Sequence, residues 1–141
     1  MADPLIYWVD RSLGKDIVAT ALRAAGVNVT TYAELYPNDP RVEDHVWIPE
    51  VTARGWVILT KDKNIRRSPI EIEALRNANA RYVCLSAGNM RGDEQAACLV
   101  QHWKTIDSVV VHKPVPLIVS VTRSHVQWLD GDTWRIAKRK R

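Results

Sequence analysis

Five apolar runs rich in β-branched residues punctuate the chain, and stretches with helical spacing separate them. Leu5-Ile6-Tyr7-Trp8-Val9 contains no charged residue, the pattern of a strand covered on both faces, and Asp10 ends it. Ser12 stands where it can cap a helix in which Leu13, Ile17, Ala21 and Leu22 recur at helical spacing, with Gly26 as a left-handed C-cap. Val27 to Tyr32 reads as a second strand, and Pro37-Asn38-Asp39-Pro40 as a turn. Val42, Val46, Trp47 and Val51 predict a helix closing near Gly55, with Pro49 early in a turn of it or kinking it. Trp56-Val57-Ile58-Leu59-Thr60 is the third strand, with Asp62 close behind. Pro69 can open a short helix through Ala78, and Tyr82-Val83-Cys84-Leu85-Ser86 is the fourth strand, followed by Gly88 and Asn89. Asp93 and Glu94 open a long helix, where negative charge suits the positive end of the dipole. Leu117-Ile118-Val119-Ser120-Val121 is the fifth strand. Val126 to Leu129 and Trp134 to Ile136, split by Asp130-Gly131-Asp132, predict a small terminal hairpin.

Strand and helix alternate throughout, which predicts an α/β domain with a mainly parallel sheet of about five strands. The length of 141 residues suits one domain over residues 1–137, with a basic tail over 138–141. No apolar run is long enough to cross a membrane, and Met1-Ala2-Asp3-Pro4 lacks the basic start of a secretory signal, so the expected location is cytoplasmic. Cys84 and Cys98 have neither Cys-x-x-Cys nor Cys/His spacing and read as reduced, buried thiols. The net charge of +4 equals the contribution of Lys138, Arg139, Lys140 and Arg141, so the body of the chain is neutral. Charge therefore identifies no nucleic-acid footprint outside the tail.

In parallel α/β sheets, ligands bind beyond the carboxyl ends of the strands, above all where the strand order reverses. The residues just past the strands are Asp10, Asp62, Ser86 and, a little further, Asn89. Two carboxylates with no histidine or thiolate beside them suit a hard cation such as magnesium or manganese, which keeps waters and leaves room for a phosphate oxygen. Each Asp taken alone could simply cap the next helix, but its recurrence after two strands weakens that account. Lys61-Asp62-Lys63-Asn64-Ile65-Arg66-Arg67 places four cations around one anion, where Lys61, Lys63 and Arg66 can receive a polyanion. The tryptophans are scattered through separate elements, which suits packing better than a stacking platform. His45, His102, His112 and His125 show no zinc-ligand spacing.

These residues together resemble the PIN superfamily, nearest its small VapC-like branch of bacterial toxin ribonucleases. The resemblance rests on the strand ending in Asp10 with Arg11-Ser12-Leu13-Gly14, on Leu22-Arg23-Ala24-Ala25-Gly26, and on Asp44-His45-Val46-Trp47-Ile48-Pro49-Glu50. The most specific stretch is Gly55-Trp56-Val57-Ile58-Leu59-Thr60-Lys61-Asp62-Lys63-Asn64-Ile65-Arg66. It spans roughly residues 5–122 and implies a three-layer PIN-like domain, a twisted sheet flanked by helices, with an acidic pocket that binds Mg2+ or Mn2+ and cuts single-stranded RNA. It further implies a role as the toxin of a toxin–antitoxin pair, an antitoxin that covers the pocket, and pairing as a homodimer. Carried over, Asp10, Asp44 and Asp62 become the catalytic and metal-binding acids, with Glu43 the rival of Asp44. Where typical members place a further Asp past the fourth strand, this chain has Ser86-Ala87-Gly88-Asn89, so either Asp93 reaches back from its helix start as the fourth metal ligand or three acids hold the ion. Lys61, Lys63, Arg66, Ser86 and Asn89 become substrate contacts. The departure at the fourth strand also supports the alternative of a catalytically inactive PIN-like domain that binds RNA or protein.

Overall fold

The computed structural model describes residues 4–61, 69–86 and 89–130, with the side chains of residues 129 and 130 excepted. Six strands form one sheet: β1 (Tyr7–Val9), β2 (Val29–Thr31), β3 (Val57–Thr60), β4 (Arg81–Leu85), β5 (Leu117–Val121) and β6 (Val126–Asp130). Their spatial order is β2-β1-β3-β4-β5-β6. Every pair is parallel except β5 with β6, which run antiparallel with Val121 opposite Val126. Six helices flank the sheet: α1 (Ile17–Ala24), α2 (Tyr32–Leu35), α3 (Asp44–Ala53), α4 (Pro69–Ala78), α5 (Gly92–Gln101) and α6 (Trp103–His112). None of the described helices is long and apolar enough to cross a membrane.

Strict alternation along the strands divides the apolar runs between two cores. Tyr7, Val9, Val57, Leu59, Val83 and Leu85 face one way and pack with Val18, Leu22, Leu99 and Ile106 of α1, α5 and α6. Trp8, Ile58, Tyr82 and Cys84 face the other way, against Tyr32, Trp47, Ile48, Val51, Ile72 and Leu75 of α2, α3 and α4. Burial on both faces is why the strands carry no polar alternation. Cys84 and Cys98 are both buried and form no disulfide.

Three of the helix ends that lead into strands, those of α1, α3 and α4, share one device. At the end of α1, Gly26 has φ +90°, and its N–H and that of Val27 bond back to Arg23 and Leu22. Gly55 repeats this after α3, and Asn79, at φ 56°, after α4. These are Schellman closures, which satisfy the last carbonyls and turn the chain back towards the sheet.

Several boundaries differ from the sequence reading. The first helix starts only at Ile17: Arg11–Leu13 is a separate 3-10 turn, capped by Asp10 instead of Ser12, because the Asp10 carboxylate reaches the Ser12 N–H two residues on. Tyr32 leaves β2 and begins α2, where Thr31 and Glu34 form a reciprocal capping box. The long helix after Asp93 is two helices, broken at His102. Val126–Asp130 pairs with β5 as the sixth strand of the main sheet, and Trp134 to Ile136 lie outside the described residues, as does the 138–141 tail. Pro49 sits inside α3, on an exposed face where water can reach the carbonyl it leaves unbonded.

Candidate metal and nucleic-acid site

The topology fixes where chemistry can sit. From β1 the chain crosses to β2 on one side, then returns past β1 to β3 on the other. The strand order therefore reverses between β1 and β3, the place where sheets of this kind bind ligands beyond their carboxyl ends. Asp10 follows β1 directly, and Lys61 follows β3.

Asp10 is only 7% exposed. Its Oδ2 accepts hydrogen bonds from the Ser12 Oγ at 2.8 Å, the Thr60 Oγ1 at 3.0 Å and, more weakly, the Ser12 N–H at 3.4 Å. All three fall on one oxygen, which leaves Oδ1 without a hydrogen-bond partner among the described residues. The two hydroxyls also lie 2.9 Å apart, and the Lys61 N–H donates to the Ser12 Oγ at 3.0 Å. Each hydroxyl has one proton, so with Asp10 ionised both protons point at the carboxylate and hold it in a single orientation.

Burial pushes the Asp10 carboxyl above its ordinary range; the hydrogen bonds from Ser12 and Thr60 pull it back, and the neighbouring Asp44 carboxylate adds to the rise. No ion pair of the described residues involves Asp10. Among the described residues Asp10 is thus a buried acid beside a second acid, with one oxygen unbonded and no cationic partner.

Asp44 occupies the first turn of α3, half-buried, with its Oδ1 accepting from the Trp47 Nε1 at 2.9 Å. That bond anchors it to the same tryptophan whose ring packs on Trp8 of β1 at 4.7 Å. Glu43 is the exposed residue before the helix and makes no capping hydrogen bond. Asp62, Lys63 and Arg66 lie outside the described residues. Among the described residues no three His, Cys, Asp or Glu side chains gather as a metal cluster.

None of the remaining predicted residues is hydrogen-bonded to Asp10 or Asp44 among the described residues. Asp93 is exposed at the start of α5, bound through both oxygens to Arg91 at 3.2 Å, and that guanidinium holds its carboxyl below the usual range. Ser86 follows β4, accepting from Ser120 at 3.2 Å and donating to the Cys84 sulfur at 3.7 Å. Asn89 is exposed.

Sequence reasoning missed the residues that hold Asp10. Thr60 is 1% exposed, a polar residue closing an otherwise apolar buried strand, and that mismatch was the available signal. Arg11 was missed as well: its Nη1 donates to the Tyr32 hydroxyl at 3.0 Å and to the Pro40 carbonyl at 2.7 Å.

A parallel α/β sheet with a buried acid at its switch point defines a class that the sequence comparisons make specific. A family model described as "PIN like domain" matches residues 6–87, the span that holds Asp10, Asp44 and Asp62. The chain belongs to the PIN-like domain family. It is similar to "Putative ribonuclease VapC45" of Mycobacterium tuberculosis (strain ATCC 25618 / H37Rv), with 33% identity over 128 residues, 89% of this chain and 92% of that protein. No solved structure matches the chain.

Proposed function

We propose that this protein is a metal-dependent endoribonuclease that cleaves single-stranded RNA. The observation that carries the proposal is Asp10: a buried carboxylate, oriented by two hydroxyls and without an ion pair among the described residues, at the switch point of a PIN-like sheet. The donor chemistry fits a hard divalent ion, since Asp10 offers an uncommitted oxygen and Asp44 brings a second carboxylate near enough to raise the pKa of the first. Asp10, Asp44 and Asp62 would hold Mg2+ or Mn2+, with Asp44 preferred to the exposed Glu43. Such an ion, when bound, supplies charge neutralisation at phosphorus and lowers the pKa of water. Ser12 and Thr60 keep Asp10 aimed, so that no reorientation is needed when substrate arrives. Lys61, Lys63 and Arg66 would draw the RNA backbone in, with Ser86 and Asn89 as further contacts past β4. Asp93 is the weakest ligand of the set, because Arg91 already occupies its carboxylate.

The similarity to a protein named as a VapC ribonuclease supports a toxin role, with an antitoxin as cognate partner and a homodimer as the assembly. The test is cleavage of labelled single-stranded RNA in magnesium, manganese or EDTA, by wild type, Asp10→Asn and Asp62→Asn. Cleavage that needs metal and both acids is the expected result. Well-folded protein that cuts no RNA in either metal would replace this reading with that of a non-catalytic binding domain.

A further inference from the structure

A cavity of about 490 Å3 opens on the carboxyl-end rim, lined by Arg11 of the turn that follows Asp10, by Thr31 at the end of β2, and by Lys15, Tyr32, Tyr36 and Pro40. Its volume lies within the range of small-molecule sites, about 300–1,000 Å3. Two tyrosines form its aromatic wall, their centroids 5.2 Å apart at an interplanar angle of 55°.

Both rings are locked. The Tyr32 hydroxyl donates to the Asp39 carbonyl at 2.8 Å and accepts from the Val42 N–H at 2.8 Å and from Arg11 at 3.0 Å. Tyr36 donates to the Glu50 Oε1 at 2.6 Å, which ties it to α3 while its half-buried ring faces the cavity. Arg11 lies over the Tyr32 ring at 5.1 Å and uses only Nη1 for its protein hydrogen bonds among the described residues. Its Nε and Nη2 donors, with the exposed Lys15 ammonium, remain for an anion.

Rigid aromatic faces flanked by cations that keep free donors match one ligand chemistry: a base to stack and a phosphate beside it. We infer that this cavity receives a nucleobase of single-stranded RNA next to the scissile phosphate, stacked on Tyr36, with the adjoining phosphate on Arg11 and Lys15. The inference rests on the ribonuclease reading, in which Asp10, the chain neighbour of Arg11, serves the scissile phosphate. Because the rings are already ordered, little entropy is lost on stacking, and the cavity biases cleavage by the identity of the flanking base.

The test separates binding from cleavage. In EDTA, where cutting is off, binding of short labelled homopolymeric oligoribonucleotides to the full chain is followed by fluorescence anisotropy, for wild type, Tyr36→Ala and Tyr36→Phe. Loss of one stacked base predicts binding roughly 5- to 100-fold weaker in Tyr36→Ala. Tyr36→Phe, which keeps the ring and loses only the bond to Glu50, should bind within about twofold of wild type. A measurement free of variants is 2-aminopurine fluorescence along the oligonucleotide, expected to change at one position only when wild-type protein binds. In magnesium or manganese, Tyr36→Ala should raise KM and blur the flanking-base preference with kcat largely kept. Oligonucleotide binding without any cleavage would uphold the cavity and sink the nuclease. Cleavage with the same KM and base preference in Tyr36→Ala, together with silent 2-aminopurine, would overturn the cavity inference and hand the pocket to a protein ligand.

Discussion

Thr60→Val tests the arrangement around Asp10 without touching a proposed metal ligand. Thr60 is 1% exposed, so valine fits nearly the same space while removing the hydroxyl that donates to the Asp10 Oδ2 at 3.0 Å. A hydrogen bond to a charged group contributes about 1.5–3 kcal/mol, and the buried methyl that replaces the hydroxyl returns under about 1 kcal/mol. The net loss expected is about 1–2 kcal/mol. For 141 residues the unfolding entropy is about 0.3 kcal/mol/K, which converts that loss to a drop in Tm of about 3–7 °C. Urea denaturation at pH 7 in EDTA, with the same substitution in an Asp10→Asn background, completes a double-mutant cycle. Asparagine can still accept from Thr60 but carries no charge, so the cost of Thr60→Val should fall by about half there. An equal cost in both backgrounds, or no cost in either, would refute the claim that Thr60 stabilises an ionised Asp10.

The raised Asp10 pKa has its own consequence for stability. The folded, metal-free protein holds that proton more tightly than the unfolded chain, so stability declines as pH rises from the ordinary value of 3.8 through the raised one. Asp10→Asn lacks this component, and its Tm relative to wild type in EDTA should climb across that window and then level off; a pH-independent difference counts against it. Tyr7→Phe deletes the hydroxyl that donates to the Asp107 Oδ1 at 2.7 Å from a ring 1% exposed, and should cost about 1–2 kcal/mol in urea denaturation, the half-buried Asp107 regaining some hydration. Leu59→Ala, at a site 0% exposed in β3, should cost about 2–5 kcal/mol, whereas Val111→Ala, 55% exposed on α6, should stay within about 0.5 kcal/mol; equal costs would contradict the described core.

Much of the fold was legible in the chain because its causes are local. The uninterrupted, β-branched apolar runs around Trp8, Ile58 and Val83 read as strands, and all three are strands buried on both faces. Gly26 and Gly55 marked helix ends because the left-handed closure there needs no distant partner. Asp10 stood out because it follows a buried strand. What the sequence could not decide depends on partners far away in the chain. The edge role of β2 and the pairing of Val126–Asp130 with β5 rest on sheet register, which apolar periodicity leaves open. The breaks at Tyr32 and His102 reflect capping and packing that override the local pattern. Thr60 became Asp10's partner across 50 positions only when β3 came to lie beside β1. Sequence placed the acids at strand ends; tertiary structure alone set β1 and β3 side by side at the reversal of strand order, and so buried Asp10 where two hydroxyls orient it and Asp44 crowds its charge.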